Sequence, residues 1–342
     1  MRAMHSTFFG SRTQDLVFFV CLSMFTISAQ LVCAATEMVT KRKAKDILAT
    51  LGFYEGQRLS VEAAMKKFPG LRGHLALANM HFDEAFLPSI RELERLMETA
   101  DDPEWKKTRQ QIFEASDIDP NKINRDDAEK MIGIVESRAE GEIPPPIIDI
   151  LLEYHPAYRK SPAAEYLDGF KQEYISDGTG KAIGLKIAIE YPMSWSNKPG
   201  RRPHIVQLFQ SADKQAMVLI TVEKLTWKAR IYGQEQLLKH LTSKKCVETE
   251  LPDAVFLTNG SATVAGRSST MCDHRARREV PKGHINMKFR TYYFIFEKRL
   301  VSAQFAIGGF ELPDDLIDKR FAKYEPLFDQ IVVSIDIYNR YE

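Results

Sequence analysis

Polar and apolar residues change rhythm midway along the chain, from a helical period of about 3.6 in the first half to the period of two that marks strands in the second. The strand signal is plainest between Gly184 and Leu225. Leu185, Ile187, Ile189 and Tyr191 alternate there with Lys186, Ala188 and Glu190, as in a half-buried strand, and Pro192 ends it by removing a ladder donor. A second strand begins near His204, and Met217 to Val222 is a continuous apolar run, the mark of a strand buried on both faces. The same reading predicts strands at 171–176, 254–258, 262–278, 285–297 and 299–307. A helix over 234–244 interrupts them, and a last helix from Asp314 sets Phe321, Tyr324, Phe328, Ile331 and Ile335 on one face.

The first half reads as helices. Ala44, Ile47, Leu48 and Leu51 keep helical spacing up to Gly52, and Ser60 stands where an N-cap would start a short helix ended by Pro69. Leu71, Leu75, Ala78, Phe82 and Phe86 follow at steps of four and three, with Pro88 expected to kink or restart the helix before Ile90, Leu93 and Met97. Helices over 103–116 and 125–138 come next, the second with Ala128, Met131, Ile132 and Val135 on one face. The prolines 144–146 predict a stiff extended connector into a buried helix at Ile147 to Leu152. The expected organisation is therefore α+β: a helical domain over 36–165 and an antiparallel sheet domain over 166–342.

Length agrees, since 342 residues exceed the roughly 250 at which single cores stop growing. With 47 Lys and Arg against 46 Asp and Glu, the chain has no overall cationic footprint for nucleic acid, although local patches remain open to it. Residues 1–35 read as a cleavable export signal: Arg2 and Arg12, the apolar run Leu16 to Ile27, then small residues at Ala34 and Ala35. The expectation is a periplasmic or secreted protein with no transmembrane segment once the signal is removed. Cys246 and Cys272 are then the mature chain's cysteines, and in an oxidising compartment they are expected to form a disulfide. With His240 and His274 they also supply four N and S ligands, but at spacings that match no closed zinc pattern.

Tyr191-Pro192-Met193-Ser194-Trp195 after a strand, then a hairpin, a middle helix, long strands and a closing helix ending Ile331-Val332-Val333-Ser334-Ile335 resemble the PsbP-like fold. That resemblance covers the last half of the chain. It implies an α/β/α sandwich around an antiparallel sheet, used mostly to bind other proteins, with no catalytic residues to carry over.

Three constellations could bear chemistry. Asp117, Asp119 and Asn121 alternate between two predicted helices and look like an EF-hand calcium loop, although the turn glycine is absent and Asp127 stands where the closing Glu belongs. Trp195 with Arg201, Arg202 and His204 forms a candidate contact surface, because aromatic and Arg side chains anchor binding sites. Ser268, Ser269, Asp273 and His274 hold hydrolase residue types, but strand alternation sends neighbours to opposite faces. On the helix whose apolar face runs from Leu71 to Phe86, His74, His81 and Glu84 read as a solvated flank. The functional expectation is an exported, non-catalytic binding or accessory protein of the cell envelope, without a cofactor, whose partner is another exported or envelope protein. The alternatives are a calcium-binding protein or a hydrolase.

Overall fold

A computed structural model describes residues 41–99, 107, 110, 122–225, 233–250 and 253–338. The chain forms an α+β structure of two compact units, residues 37–171 with 192–194, and 172–191 with 195–342 among the described residues. The first division falls at 171, close to the boundary at 165 read from the sequence, and the short piece Pro192–Ser194 joins the helical unit.

In the helical unit, α1 (Lys41–Lys67) and α2 (Arg72–Thr99) are joined by a 3-10 turn at Pro69–Leu71, and α3 (Arg125–Ala139) follows. The expected break at Gly52 and the expected cap at Ser60 are both corrected: α1 runs through them, and Ser60 Oγ donates to the Gly56 carbonyl at 2.7 Å instead. A glycine in a helix costs about 1 kcal/mol, which the apolar stripe outweighs, since Ile47, Val61 and Ala64 are all buried at about 25 cal/mol per Å². Pro88 likewise lies inside α2 without ending it. Buried Phe86 and Ile90 flank it on one stripe, so both halves hold the same register. Phe82 sits at the centre, 5.2 Å from Phe86 and 6.3 Å from Tyr54 between ring centroids. The prolines do not extend. Ile147 N–H closes a turn onto the Pro144 carbonyl before α4 (Ile147–Glu153), α5 (Pro156–Lys160) and α6 (Pro162–Leu167).

The second unit holds two sheets. β1 (Lys171–Ile175), β2 (Ile187–Pro192) and the two-residue β10 (Asp336–Ile337) form the smaller. The larger has seven strands, β3 (Ser196–Pro199), β4 (Ile205–Gln210), β5 (Ala216–Lys224), β6 (Ala254–Val264), β7 (Arg267–Val280), β8 (Gly283–Phe296) and β9 (Arg299–Phe310), in the order 3-4-5-9-8-7-6. Every neighbouring pair in it is antiparallel. One register row crosses all seven: Lys198, Leu208, Leu219, Gln304, Thr291, Cys272 and Asn259.

That row defines a face, because directly paired residues share a side of the sheet and successive residues alternate. On its side α7 (Gln234–Leu241) and α8 (Lys244–Glu250) pack Leu237, Leu238, Leu241 and Val247 with Cys272, Tyr293, Ile295 and Leu300. The other side takes α9 (Asp314–Ser334), whose Phe328 lies 4.9 Å from Phe305 between ring centroids. Helices therefore cover both faces, the layered arrangement the PsbP-like pattern implies.

Candidate functional site

The turn between β3 and β4 carries a group of cations in the sheet unit. Gly200 is required in it, because a Cβ there would collide with Ile205, and Lys181 Nζ donates to the Gly200 carbonyl. The turn so fixed carries Arg201, exposed, and Arg202, half-buried, into β4. Around it the named charges acting on one another are positive. Burial lowers Lys198, and Arg201 and Lys214 add to the effect. Burial and then the Arg278 charge lower Arg202. His204 is pushed down to about 4 by burial, then by Arg202 and Lys181, so at neutral pH it is an uncharged imidazole and the field belongs to the lysines and arginines.

Register places this charge beside a buried apolar cluster. Lys198 is on the face of Leu208, and Arg278, paired with Ile285, is on that same face. Met217, Met287 and Phe289 form a cluster there, with Leu208 and Phe310 half-buried against it. Exposed cations such as Arg201 and Lys214 suit an acidic surface, whose approach they steer.

Of the four residues read as a contact surface, Arg201, Arg202 and His204 are brought together and Trp195 is not. Trp195 is 4% exposed and packs 6.3 Å from the Tyr324 ring, so it is a core residue. Lys181, Lys198 and Lys214 escaped sequence reasoning, because only strand register and the fold of the turns bring them near.

The calcium constellation falls largely outside the described residues, as Asp117, Asp119 and Asn121 do. Asp127 is described and works as a cap. Asn124 Oδ1 accepts from Asp127 N at 2.8 Å while the Asp127 carboxylate accepts from Asn124 N at 3.4 Å, a capping box that starts α3. Among the described residues no group of three or more His, Cys, Asp or Glu is arranged to hold a metal ion.

Cys246 and Cys272 are buried, unbridged thiols within one apolar cluster. Burial pushes Cys272 up to about 12, and Asp273 and Cys246 add to it. As a free thiol Cys272 would be a poor nucleophile. The hydrolase types are separated. Asp273 accepts from Arg290 Nε and Nη2, both at 2.9 Å, whereas His274 stacks on Phe289 at 4.9 Å with neither ring nitrogen partnered among the described residues. In the helical unit His74, His81 and Glu84 are exposed on α2.

Fold and surface together define a protein of the α+β class with a helical unit and a cation-rimmed antiparallel sheet unit. No family profile matches the sequence, and no curated protein matches it. Among solved structures the chain is similar to LpqN of Mycobacterium tuberculosis, described as involved in cell envelope biogenesis, at 14% identity over 51% of this chain and 95% of that one, with a TM-score of 0.33. It is also similar to the Ran-binding protein Mog1p of Saccharomyces cerevisiae, at 8% identity over 49% and 95%, TM-score 0.33. A Pseudomonas aeruginosa protein of unknown function gives 15% identity over 47% and 93%, TM-score 0.26. Likeness at this level carries no function to the chain. Among the described residues no helix is long and apolar enough to cross a membrane.

Proposed function

We propose that the chain is an exported, non-catalytic binding protein whose sheet unit holds an acidic surface of another exported or envelope protein. The observation that carries this reading is the group of cations at the β3–β4 turn, where exposed Arg201 and Lys214 act on Lys198 and Arg278 acts on Arg202. Export rests on the signal pattern of residues 1–35, and the cysteine pair is proposed to close as a disulfide in that compartment.

The test uses immobilised polyglutamate as a stand-in acidic surface. Wild type is expected to be retained at low salt and released as salt rises, and Arg201→Glu with Arg202→Glu to lose retention at an unchanged melting temperature. Equal retention of both proteins sinks the reading. Stronger retention on single-stranded DNA than on polyglutamate would move it to nucleic acid.

A further inference from the structure

The two edges of the large sheet are built differently. β3, at one edge, is four residues long and carries Lys198 and Pro199, and short length, lysine and proline all discourage a further strand from pairing. β6, at the other edge, has eleven residues, Ala254–Val264, with neither a charge nor a proline among them. A register shift between Phe256 and Thr258 bends its first part, whereas Thr258–Val264 pairs with β7 residue for residue. Thr258, Asn259, Ser261 and Thr263 are exposed. Among the described residues no hydrogen bond other than those to β7 reaches the backbone of this stretch, so every second residue turns an N–H and a C=O outward. Gly260 is not demanded by the fold, because a Cβ there would meet only Met271, at 3.9 Å, an ordinary contact. A glycine inside a strand otherwise marks a place where another backbone comes close.

We propose that β6 pairs with β6 of a second copy of this chain, antiparallel about a two-fold axis at Ser261, so that one sheet runs through both copies. The strand is its own complement. About that axis Thr258 faces Val264 and Gly260 faces Ala262, so β-branched residues meet at the ends, small ones meet near the axis, and no like charges oppose. The absence of charge also leaves nothing to steer or select a charged partner strand. The other described edges do not suit β6: β3 is protected as above, β1 carries Lys171 and Glu173, and β10 has two residues. Pairing of β6 with β6 therefore uses up the open edge of both copies and stops at a dimer, whereas pairing with a different edge would grow into a filament. β6 is at the opposite edge of the sheet from the β3–β4 turn, and its pairing does not rest on the cations there.

Sedimentation of the full chain between about 1 and 200 μM tests it. One strand edge buries less than the about 1,200 Å² of a stable interface, so a monomer–dimer equilibrium with a Kd of about 10 μM is expected. Ser261→Lys and Ser261→Glu each set like charges across the axis. Each should weaken the dimer at least about tenfold with an unchanged melting temperature in dilute solution, and an equal mixture of the two should dimerise again. Ser261→Cys should oxidise to a covalent dimer, because residues that face each other at the axis lie within disulfide reach. Val255→Cys, exposed but before the register shift, should not. A monomeric wild type, growth beyond the dimer, a dimer that both charge variants leave intact, or cross-linking as ready at Val255 as at Ser261 overturns the proposal. A monomer that binds an alternating Thr-Val peptide would give the edge to a foreign strand and equally overturn the second copy.

Discussion

Each unit buries a carboxylate, and they do it in opposite ways. In the helical unit Glu165, 4% exposed, accepts from Ser194 N and Ser194 Oγ, both at 2.7 Å, with no cation among its partners in the described residues, and burial pushes it up to about 7. In the sheet unit Asp273, equally buried, takes a two-pronged guanidinium from Arg290, whose third nitrogen reaches Glu325 at 2.7 Å. The hydrogen bonds to Asp273 hold the Arg290 proton more firmly than usual. Neutral donors do not offset the loss of water around a charge, so a solitary acid keeps its proton, whereas a bidentate cation lets the pair enter as ions. The helical unit thus makes its buried acid sensitive to pH, and the sheet unit makes its own sensitive to loss of a partner.

The largest expected effect breaks the pair. Asp273→Ala leaves the Arg290 side chain, 12% exposed, with Glu325 as its remaining ion-paired carboxylate among the described residues, and should destabilise the sheet unit by about 3–5 kcal/mol in chemical denaturation. Replacing both residues together, Asp273→Leu with Arg290→Met, should restore most of that loss, since an apolar pair needs no desolvation of charge. Equal losses in the single and double variants would show that shape, not charge, is being measured.

Next comes the acid without a partner. Glu165 holds its proton to about pH 7 in the folded chain against an ordinary value of 4.5. Its contribution is therefore full below about pH 4.5 and is lost as pH rises through 7, about 3 kcal/mol in all. Glu165→Gln mimics the protonated form and keeps both Ser194 bonds, so it should stabilise the helical unit at pH 8 by about that amount and do nothing near pH 4. A gain that is the same at both pH values would refute the assignment.

How much of this contrast could be read in advance depends on the distance along the chain over which it is built. β5 was legible at 216–224 because Met217 to Val222 is apolar throughout, and α9 because its face repeats from Phe321 to Phe328. The β6–β7 hairpin was misjudged, predicted as 254–258 and 262–278 but running 254–264 and 267–280. Its turn uses Ala265 and Gly266, both at positive φ, and an alanine there gives no turn signal, whereas Gly260, which does, lies within the strand. Arg201 and Arg202 were legible as a charged turn. The orientation of Trp195 was not, because one aromatic beside a proline fits surface or core alike. Glu165 meeting Ser194 is a contact between distant segments, which periodicity does not encode.

His274 sharpens the same lesson with the opposite sign. Its buried ring is pushed down to about 4 by burial alone, so the folded sheet unit resists a proton that the unfolded chain accepts near 6.5. Stability from it is present above that value and is lost as pH falls through 4, which amounts to about 2 kcal/mol by pH 5. His274→Leu should remove the loss and also the two unpartnered nitrogens, giving a melting temperature above wild type at pH 5 by a wider margin than at pH 8.

The smallest expected effect probes a charge at the surface, where neither unit's rule for burial applies. Asn124 and Asp127 satisfy each other's backbone N–H at the start of α3 and both side chains are exposed, so water competes for every bond they make. Asn124→Ala should cost about 1 kcal/mol and Asp127→Ala less, because the second bond is the longer one at 3.4 Å. The measurement also bears on calcium. If Asp127 serves the cap alone, adding millimolar calcium should leave the melting temperatures of wild type and Asp127→Ala equally unchanged. A calcium-dependent rise in wild type that Asp127→Ala abolishes would return the residue to the loop that Asp117, Asp119 and Asn121 began.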